Sequence, residues 1–467
     1  MKNNVVLRMM LLGIAYLSMP MVYAQLGLPS VFSDGMVLQR NSEATLWGWG
    51  DASEKVVIVS DWAPQDTTEV QVDSKGTWRA KLKTAQAGGP YTITLKSGAT
   101  TLQISNVLLG EVWLCSGQSN MEWNANAGIL KGAAEIAAAD DQNLRIFQLA
   151  KRGADTPQDN CKAQWETSSP SSMRKSSAIA YFFGRYLSDK LQVPVGIIVA
   201  AWGGTPAETW TPAQVIAEDS VLSRCKLETT PWWPIEAGKL YNGMIYPIAS
   251  YNLAGCIWYQ GESNHPNASS YARLMQKMIE SWRNAFKKDF PFYLVQIAPH
   301  TYSSSGNTPA LLREQQEFVT QHVPNTEMIT ISDLVEDVQQ IHPKDKRSVG
   351  ERLGNLALSN VYRVQAGPYR SPTFYQAKRV KNKIVVSFKG LNGKLLCNGK
   401  SITGVTICGK EGVYLPAKAN IHKNELVVWA PSIEQPQAVR YCFDDATIGN
   451  LFSEEHIPVA PFRTSKE

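Results

Sequence analysis

Acyl transfer needs a nucleophile, a base and donors for a developing oxyanion, and this chain carries candidates for all three. The nucleophile is Ser119, within VLLGEVWLCSGQSNMEW over residues 107–123. The apolar first half, 107–114, suits a strand buried on both faces. Ser116-Gly117-Gln118-Ser119-Asn120 is then small, polar and turn-forming. A hydroxyl at the C-terminal end of a parallel strand lies where open α/β sheets put their ligands. A serine at a strand end is more often an ordinary solvated turn, so the rest of the chain must single this one out.

Two further apolar runs end in unusual polar segments. One is Ala201-Trp202-Gly203-Gly204-Thr205, whose paired glycines let backbone N–H groups approach a ligand closely. The other is Trp258-Tyr259-Gln260-Gly261-Glu262-Ser263-Asn264. Emerging on one sheet edge, a nucleophile, a glycine amide and a side-chain amide would make an oxyanion hole. Gln260, nearer the strand end, is preferred to Asn264 as the side-chain donor. Among the histidines, His342 follows the last sheet strand and directly precedes the final helix, in Ile341-His342-Pro343-Lys344-Asp345-Lys346. That places a base at the same edge. His422 and His456 fall in a β-patterned tail; His265, His300 and His322 fall in loops or at a helix end.

The elements that must position these residues are read from periodicity. Residues 25–106 hold short strand-length runs (44–49, 55–60, 69–72, 77–82 and 91–96) punctuated by Gly, Asp, Pro and Ser, the pattern of a small β domain. Over 107–362 strands and helices alternate: strands at 107–114, 193–201, 253–259, 290–297 and 327–332, helices at 178–191, 271–286, 310–321 and 346–362. Such alternation argues a parallel sheet with helices on both faces. Residues 363–467 return to β patterning, with strands at 383–389, 394–396, 425–429 and 438–443 and a hairpin turn at Asn392-Gly393.

Composition narrows the classes. The chain has 467 residues, enough for two or three domains, and 44% hydrophobic with 19% charged residues is globular rather than disordered. Residues 1–24 read as a secretory leader: Lys2 and Arg8, an apolar core, then Val22-Tyr23-Ala24 as a cleavage site. Pro20 interrupts the segment too early for a membrane span. The expectation is an exported protein, periplasmic or secreted, with no membrane insertion. A formal charge of +5, partly supplied by the leader, gives no case for nucleic acid. Seven cysteines permit disulfides, with Cys161–Cys225 or Cys397–Cys408 as candidates, while Cys115 and Cys256 sit in or beside apolar strands as small hydrophobes. No Cys or His spacing of metal-ligand type occurs, so neither a metal nor another cofactor is expected. Fourteen tryptophans suit sugar-stacking surfaces and aromatic cores equally.

Taken together, GEVWLCSGQSNMEW, SSAIAYFFGRYL, AAWGGTPAETW, YNGMIYPI, WYQGESN, IHPKDK, VRYCFDD and PVAPFRT resemble the sialate O-acetylesterase family. The resemblance spans nearly the whole chain after the leader, including SVFSDGMVLQR near its start. It implies an SGNH-type hydrolase, a flavodoxin-like parallel-sheet core flanked by N- and C-terminal β domains, that cleaves acetyl esters of carbohydrates. It implies Ser119 as nucleophile and His342 as base, with an oxyanion hole of Ser119, Gly204 and Gln260. Trp202, Glu262 and Asn264 would bind substrate or support loops.

One departure stands out. Related hydrolases carry an Asp two or three residues before the histidine; here Gln340 and Gln339 stand there. Asp337 is the candidate orienting acid of a triad; a Ser–His dyad held by a neutral acceptor is slightly favoured. Asp345 is less suited. Three substrate readings are weighed: O-acetylated sialic acid, with the 9-O-acetyl ester first; acetylated xylan or another polysaccharide; and glycan binding without catalysis. A basic residue in the pocket would favour the sialate carboxylate, and Arg174, Arg185 and Arg283 are basic residues that sequence does not place.

Overall fold

The strand Thr100–Gly117 belongs to two sheets and sets the arrangement of the molecule. In this computed structural model, which describes residues 26–302 and 306–465, the expected leader at 1–24 lies outside the described residues. The first part of the strand pairs antiparallel with Gly88–Ser97, and Val37–Gln39 runs parallel to it at Leu108–Gly110. From Glu111 onward it lies between Val195–Ala201 and Gly255–Tyr259, parallel to both. Its burial changes accordingly. Residues 101–106 are mostly exposed or half-buried, whereas every residue from Val107 to Gly117 is buried. The junction expected at 106/107 is therefore crossed by one unbroken strand.

The core sheet runs Thr326–Ile329, Phe292–Val295, Gly255–Tyr259, Thr100–Gly117, Val195–Ala201, Leu144–Gln148 and Trp165–Thr167. All neighbours are parallel except the last pair. Val195–Ala201 and Gly255–Tyr259 are buried throughout, as continuous apolar strands covered on both faces must be.

Helices cover the faces. Ala178–Leu191 begins where the Ser177 side chain accepts from the Ala180 N–H and ends at Gln192 in the left-handed region, burying Ile179, Phe182, Phe183 and Leu187. Tyr271–Phe286 buries Leu274, Met275, Met278, Ile279 and Trp282 at helical spacing. Lys346–Ala357 starts at Asp345, whose carboxylate accepts the Ser348 N–H at 2.9 Å. Asp345 is thus a helix cap.

The C-terminal region forms separate antiparallel sheets around Ile384, Val386, Leu426, Val428, Val439 and Phe462. It is anchored to the α/β core by Arg463 on Glu314 and by buried Arg313, which donates to the Asp444 carbonyl. The turn at Asn392-Gly393 does not close a hairpin. Leu395–Cys397 pairs with the distant Leu451–Ser453, and Lys383–Lys389 pairs with the preceding Thr373–Val380. A two-residue hairpin closes at Lys423-Asn424, both with positive φ (51° and 65°), joining Lys418–His422 to Glu425–Trp429. Neither candidate disulfide forms; all seven cysteines are free thiols.

Candidate active site

Ala201 and Tyr259 both stand opposite Gly117, so the three strands end level and their polar segments leave at one edge. Gly117 has φ 140°, and a Cβ there would lie 2.1 Å from the Tyr259 carbonyl oxygen. Only glycine fits that approach. The chain then turns: the Gln118 N–H donates to Tyr259 O at 3.0 Å and the Trp202 N–H donates to Gly117 O at 3.1 Å. Ser119 opens the short helix Ser119–Glu122.

Gly203 packs directly on Ser119, since a Cβ built on it would meet Ser119 Cβ at 3.2 Å. Its N–H is taken by Glu122 Oε2 at 2.5 Å. Gly204 has φ 77°, and the Trp233 ring covers it so closely that a methyl there would meet Cε2 at 2.3 Å. The N–H groups of Ser119 and Gly204 have no acceptor among the described residues. Trp202 is half-buried beneath the Lys151 ammonium, 5.6 Å from its ring centroid.

The Gln260 side chain is not free to bind an oxyanion. It is fully buried, its Nε2 donates to Asn264 Oδ1 at 2.7 Å and to Thr205 O at 3.3 Å, and its Oε1 accepts from Tyr271 at 3.0 Å. Asn264 is equally committed. Its Oδ1 also accepts the Ala207 N–H at 2.9 Å, and its Nδ2 donates to Glu208 at 2.8 Å. Both amides knit the loop together, because a buried amide left unpaired is costly.

The structure brings His342 to the turn that carries Ser119. Its ring stacks on Trp123, and the carbonyl of Ile341 before it accepts from Asn120 Nδ2 at 3.0 Å. His342 Nε2 is buried without a partner, and Ser119 Oγ makes no hydrogen bond to any described residue. Burial, reinforced by Lys346 and His300, holds the imidazole down at about 4. Asp337 is not brought to the ring: its carboxylate accepts the Gln339 N–H at 2.9 Å, closing a local turn.

Glu262 is buried and accepts from Asn120 at 2.7 Å; burial raises its pKa. Lys346, also buried, donates to Asn120 Oδ1 at 2.6 Å and is pushed down to about 7 by burial, with Glu262 opposing. Sequence reading passed over Lys346, Trp123 and Trp233. For two of them a signal existed: Trp123 lies four residues after Ser119, one helical turn on, and Lys346 opens the helix that the His342 loop enters. Trp233 offered none, because it comes from an irregular segment.

Beside Gly204 and Ser263 opens a cavity of about 210 Å³, walled by Lys226, Glu228, Thr230, Trp233, His265 and Asn267. None of Arg174, Arg185 and Arg283 lines it. Arg185 pairs with Glu135, and Arg283 donates to carbonyls including that of Phe290.

The model of the sialic acid-specific acetylesterase family of carbohydrate esterases matches residues 109–359, from mid-strand through the histidine loop. Sialate O-acetylesterases of Homo sapiens and Pongo abelii are each 31% identical to the chain, over 69% of its length and 69% of theirs. The crystal structure of a carbohydrate acetylesterase from Xanthomonas citri superposes with a TM-score of 0.86 at 31% identity, covering 95% of this chain and 100% of that one. Fold and site together define a carboxylic-ester hydrolase of the SGNH-type α/β class acting on acetylated carbohydrate. The chain belongs to the sialic acid-specific acetylesterase family. No helix among the described residues is long and apolar enough to cross a membrane.

Proposed function

We propose that the protein is exported and removes O-acetyl groups from sialic acids, the 9-O-acetyl ester first, through a Ser119–His342 dyad. The observation that carries the reading is that Ser119, whose Oγ is free, and His342, whose buried Nε2 has no partner, sit on loops tied to each other. His342 takes the Ser119 proton as Oγ attacks the acetyl carbonyl. The N–H groups of Ser119 and Gly204 receive the oxyanion, each such donor being worth roughly 3 kcal/mol in the transition state. Collapse expels the sugar oxygen, which recovers the proton from His342, and water attacking the acetyl-enzyme releases acetate. Trp233 over Gly204 supplies an apolar wall beside the acetyl group.

Sialic acid is favoured because Lys226 and His265, which line the adjoining cavity together with Glu228, are groups that suit a carboxylate, with Thr230 and Asn267 for hydroxyls. The relatives in Homo sapiens and Pongo abelii bear the same substrate in their names. The alternative, an acetylated polysaccharide such as xylan, uses the same ester chemistry.

Acetate release by residues 25–467 from 9-O-acetylated sialic acid and from acetylated xylan, beside Ser119→Ala, decides between them. Release from the sialic acid alone, abolished in the variant, is expected. Release from xylan alone replaces the substrate, and release from neither by folded protein points to glycan binding without catalysis. Export predicts a periplasmic or secreted product whose N-terminal residue is Gln25.

A further inference from the structure

Among the described residues no carboxylate bonds to His342, yet its loop is held. A single buried amide does this. Asn120 Oδ1 accepts from Lys346 Nζ at 2.6 Å, while Asn120 Nδ2 donates to Glu262 Oε1 at 2.7 Å and to Ile341 O at 3.0 Å. Asn120, Lys346 and Glu262 are respectively 0%, 1% and 5% exposed. The partners come from far apart in the chain, 142 residues to Glu262, 221 to Ile341 and 226 to Lys346. Asn120 directly follows Ser119, and Ile341 directly precedes His342. The amide therefore ties the residue after the nucleophile to the residue before the base.

The donor and acceptor inventory fixes which way the amide faces. An amine offers hydrogen to Oδ1 whether or not it is charged, a backbone carbonyl only accepts, and an ionised carboxylate only accepts. Turning Asn120 over would set its oxygen against two acceptors and its NH2 against the lysine. Lys346 thus forces Nδ2 toward Ile341 O, and the peptide entering His342 is held in one plane. Trp123, at the end of the same short helix, presses on the imidazole face. Lys346 Nζ in turn lies 5.6 Å from the Trp123 ring centroid and 5.8 Å from that of Tyr259. Both restraints on the base arise from the element that carries the nucleophile.

We propose that Asn120, with its orientation set by Lys346, is the positioning residue for His342, holding the base through the Ile341 carbonyl in place of an orienting carboxylate. The inference rests on the Ser119–His342 reading. It adds no step to the chemistry. It assigns to two residues outside the reacting set the task of keeping nucleophile and base in register.

The test compares Asn120→Ala, Asn120→Asp, Lys346→Met and Lys346→Gln with Ser119→Ala and His342→Ala, using 4-nitrophenyl acetate and 9-O-acetylated sialic acid. Near-UV circular dichroism selects the folded variants. Misplacing a base by a fraction of its reach lowers kcat, so Asn120→Ala should lose about 100-fold in kcat with KM within about threefold. Asn120→Asp should lose as much, because an ionised carboxylate has no hydrogen for Ile341 O. Lys346→Met should lose about 10-fold, and Lys346→Gln, which keeps a donor toward Oδ1, should return to within about threefold of the parent. Acylation of Ser119 by a fluorophosphonate probe should fall in parallel with kcat. Folded Asn120→Asp at parental kcat would overturn the proposal, as would Lys346→Gln no better than Lys346→Met. If Asn120→Ala does not fold, Asn120→Asp and the lysine pair carry the test. Ser119→Ala or His342→Ala retaining turnover would instead remove the dyad itself, a separate result.

Discussion

Trp123 lies face to face with His342, ring centroids 4.3 Å apart and planes inclined by 25°. The contact keeps water from one face of the imidazole, and burial is the largest cause of its lowered pKa. The acid limb of kcat/KM should therefore fall near pH 4 rather than near 6.5. Trp123→Ala should move that limb upward, toward neutrality. A limb unchanged by the substitution, measured from pH 3.5 to 8, would detach the stacking from the titration. The same shift bears on stability. Between 6.5 and about 4 the unfolded chain binds a proton that folded His342 does not, so falling pH across this window removes stability.

Ser119→Ala should lower acetate release by about 10⁴-fold or more while leaving far-UV circular dichroism unchanged, since losing a nucleophile removes a whole pathway. Turnover within tenfold of the parent would require another nucleophile.

Asp337→Asn should leave kcat within about threefold of the parent, while His342→Ala should lose about 10³-fold or more. The Asp337 carboxylate caps the Gln339 N–H, and an asparagine oxygen can do the same. Comparable losses in the two variants would return Asp337 to the imidazole and restore a triad.

Lys226→Ala should raise KM for 9-O-acetylated sialic acid about tenfold and leave KM for 4-nitrophenyl acetate unchanged, because Lys226 lines the cavity next to Gly204 and a cation there would attract only a charged sugar. Equal effects on both esters would place the carboxylate elsewhere.

Gly117→Ala should cost about 2 kcal/mol or more of stability, read as a lowered Tm. The residue has φ 140° and faces the Tyr259 carbonyl oxygen, which already accepts the Gln118 N–H. A Tm within a degree of the parent would show that the turn relaxes.

Much of the architecture was legible because periodicity is local. The helices at 178–191 and 271–286 begin and end where their apolar spacing does. The polar segments after Gly117, Ala201 and Tyr259 follow strands that end level, as parallel strands with helical crossovers dictate. The strand Leu144–Gln148 escaped notice because it is short and flanked by irregular chain. The Asn392-Gly393 turn misled because a turn signal says that the chain bends, not which strand it will meet.

By itself the sequence determined the α/β core and the polar ends of its central strands, and it singled out Ser119 and His342 as candidates, since residue type and period are local properties. Tertiary structure alone decided what each polar group touches. It closed the Gln260 amide on Asn264 and Tyr271, kept Asp337 in its own turn, laid Trp233 over Gly204 and joined Asn120 to Ile341 and Lys346. The physical reason is burial. An amide withdrawn from water must find partners in whatever segments the sheet register brings beside it, and for Asn120 those lie more than a hundred residues away in the chain.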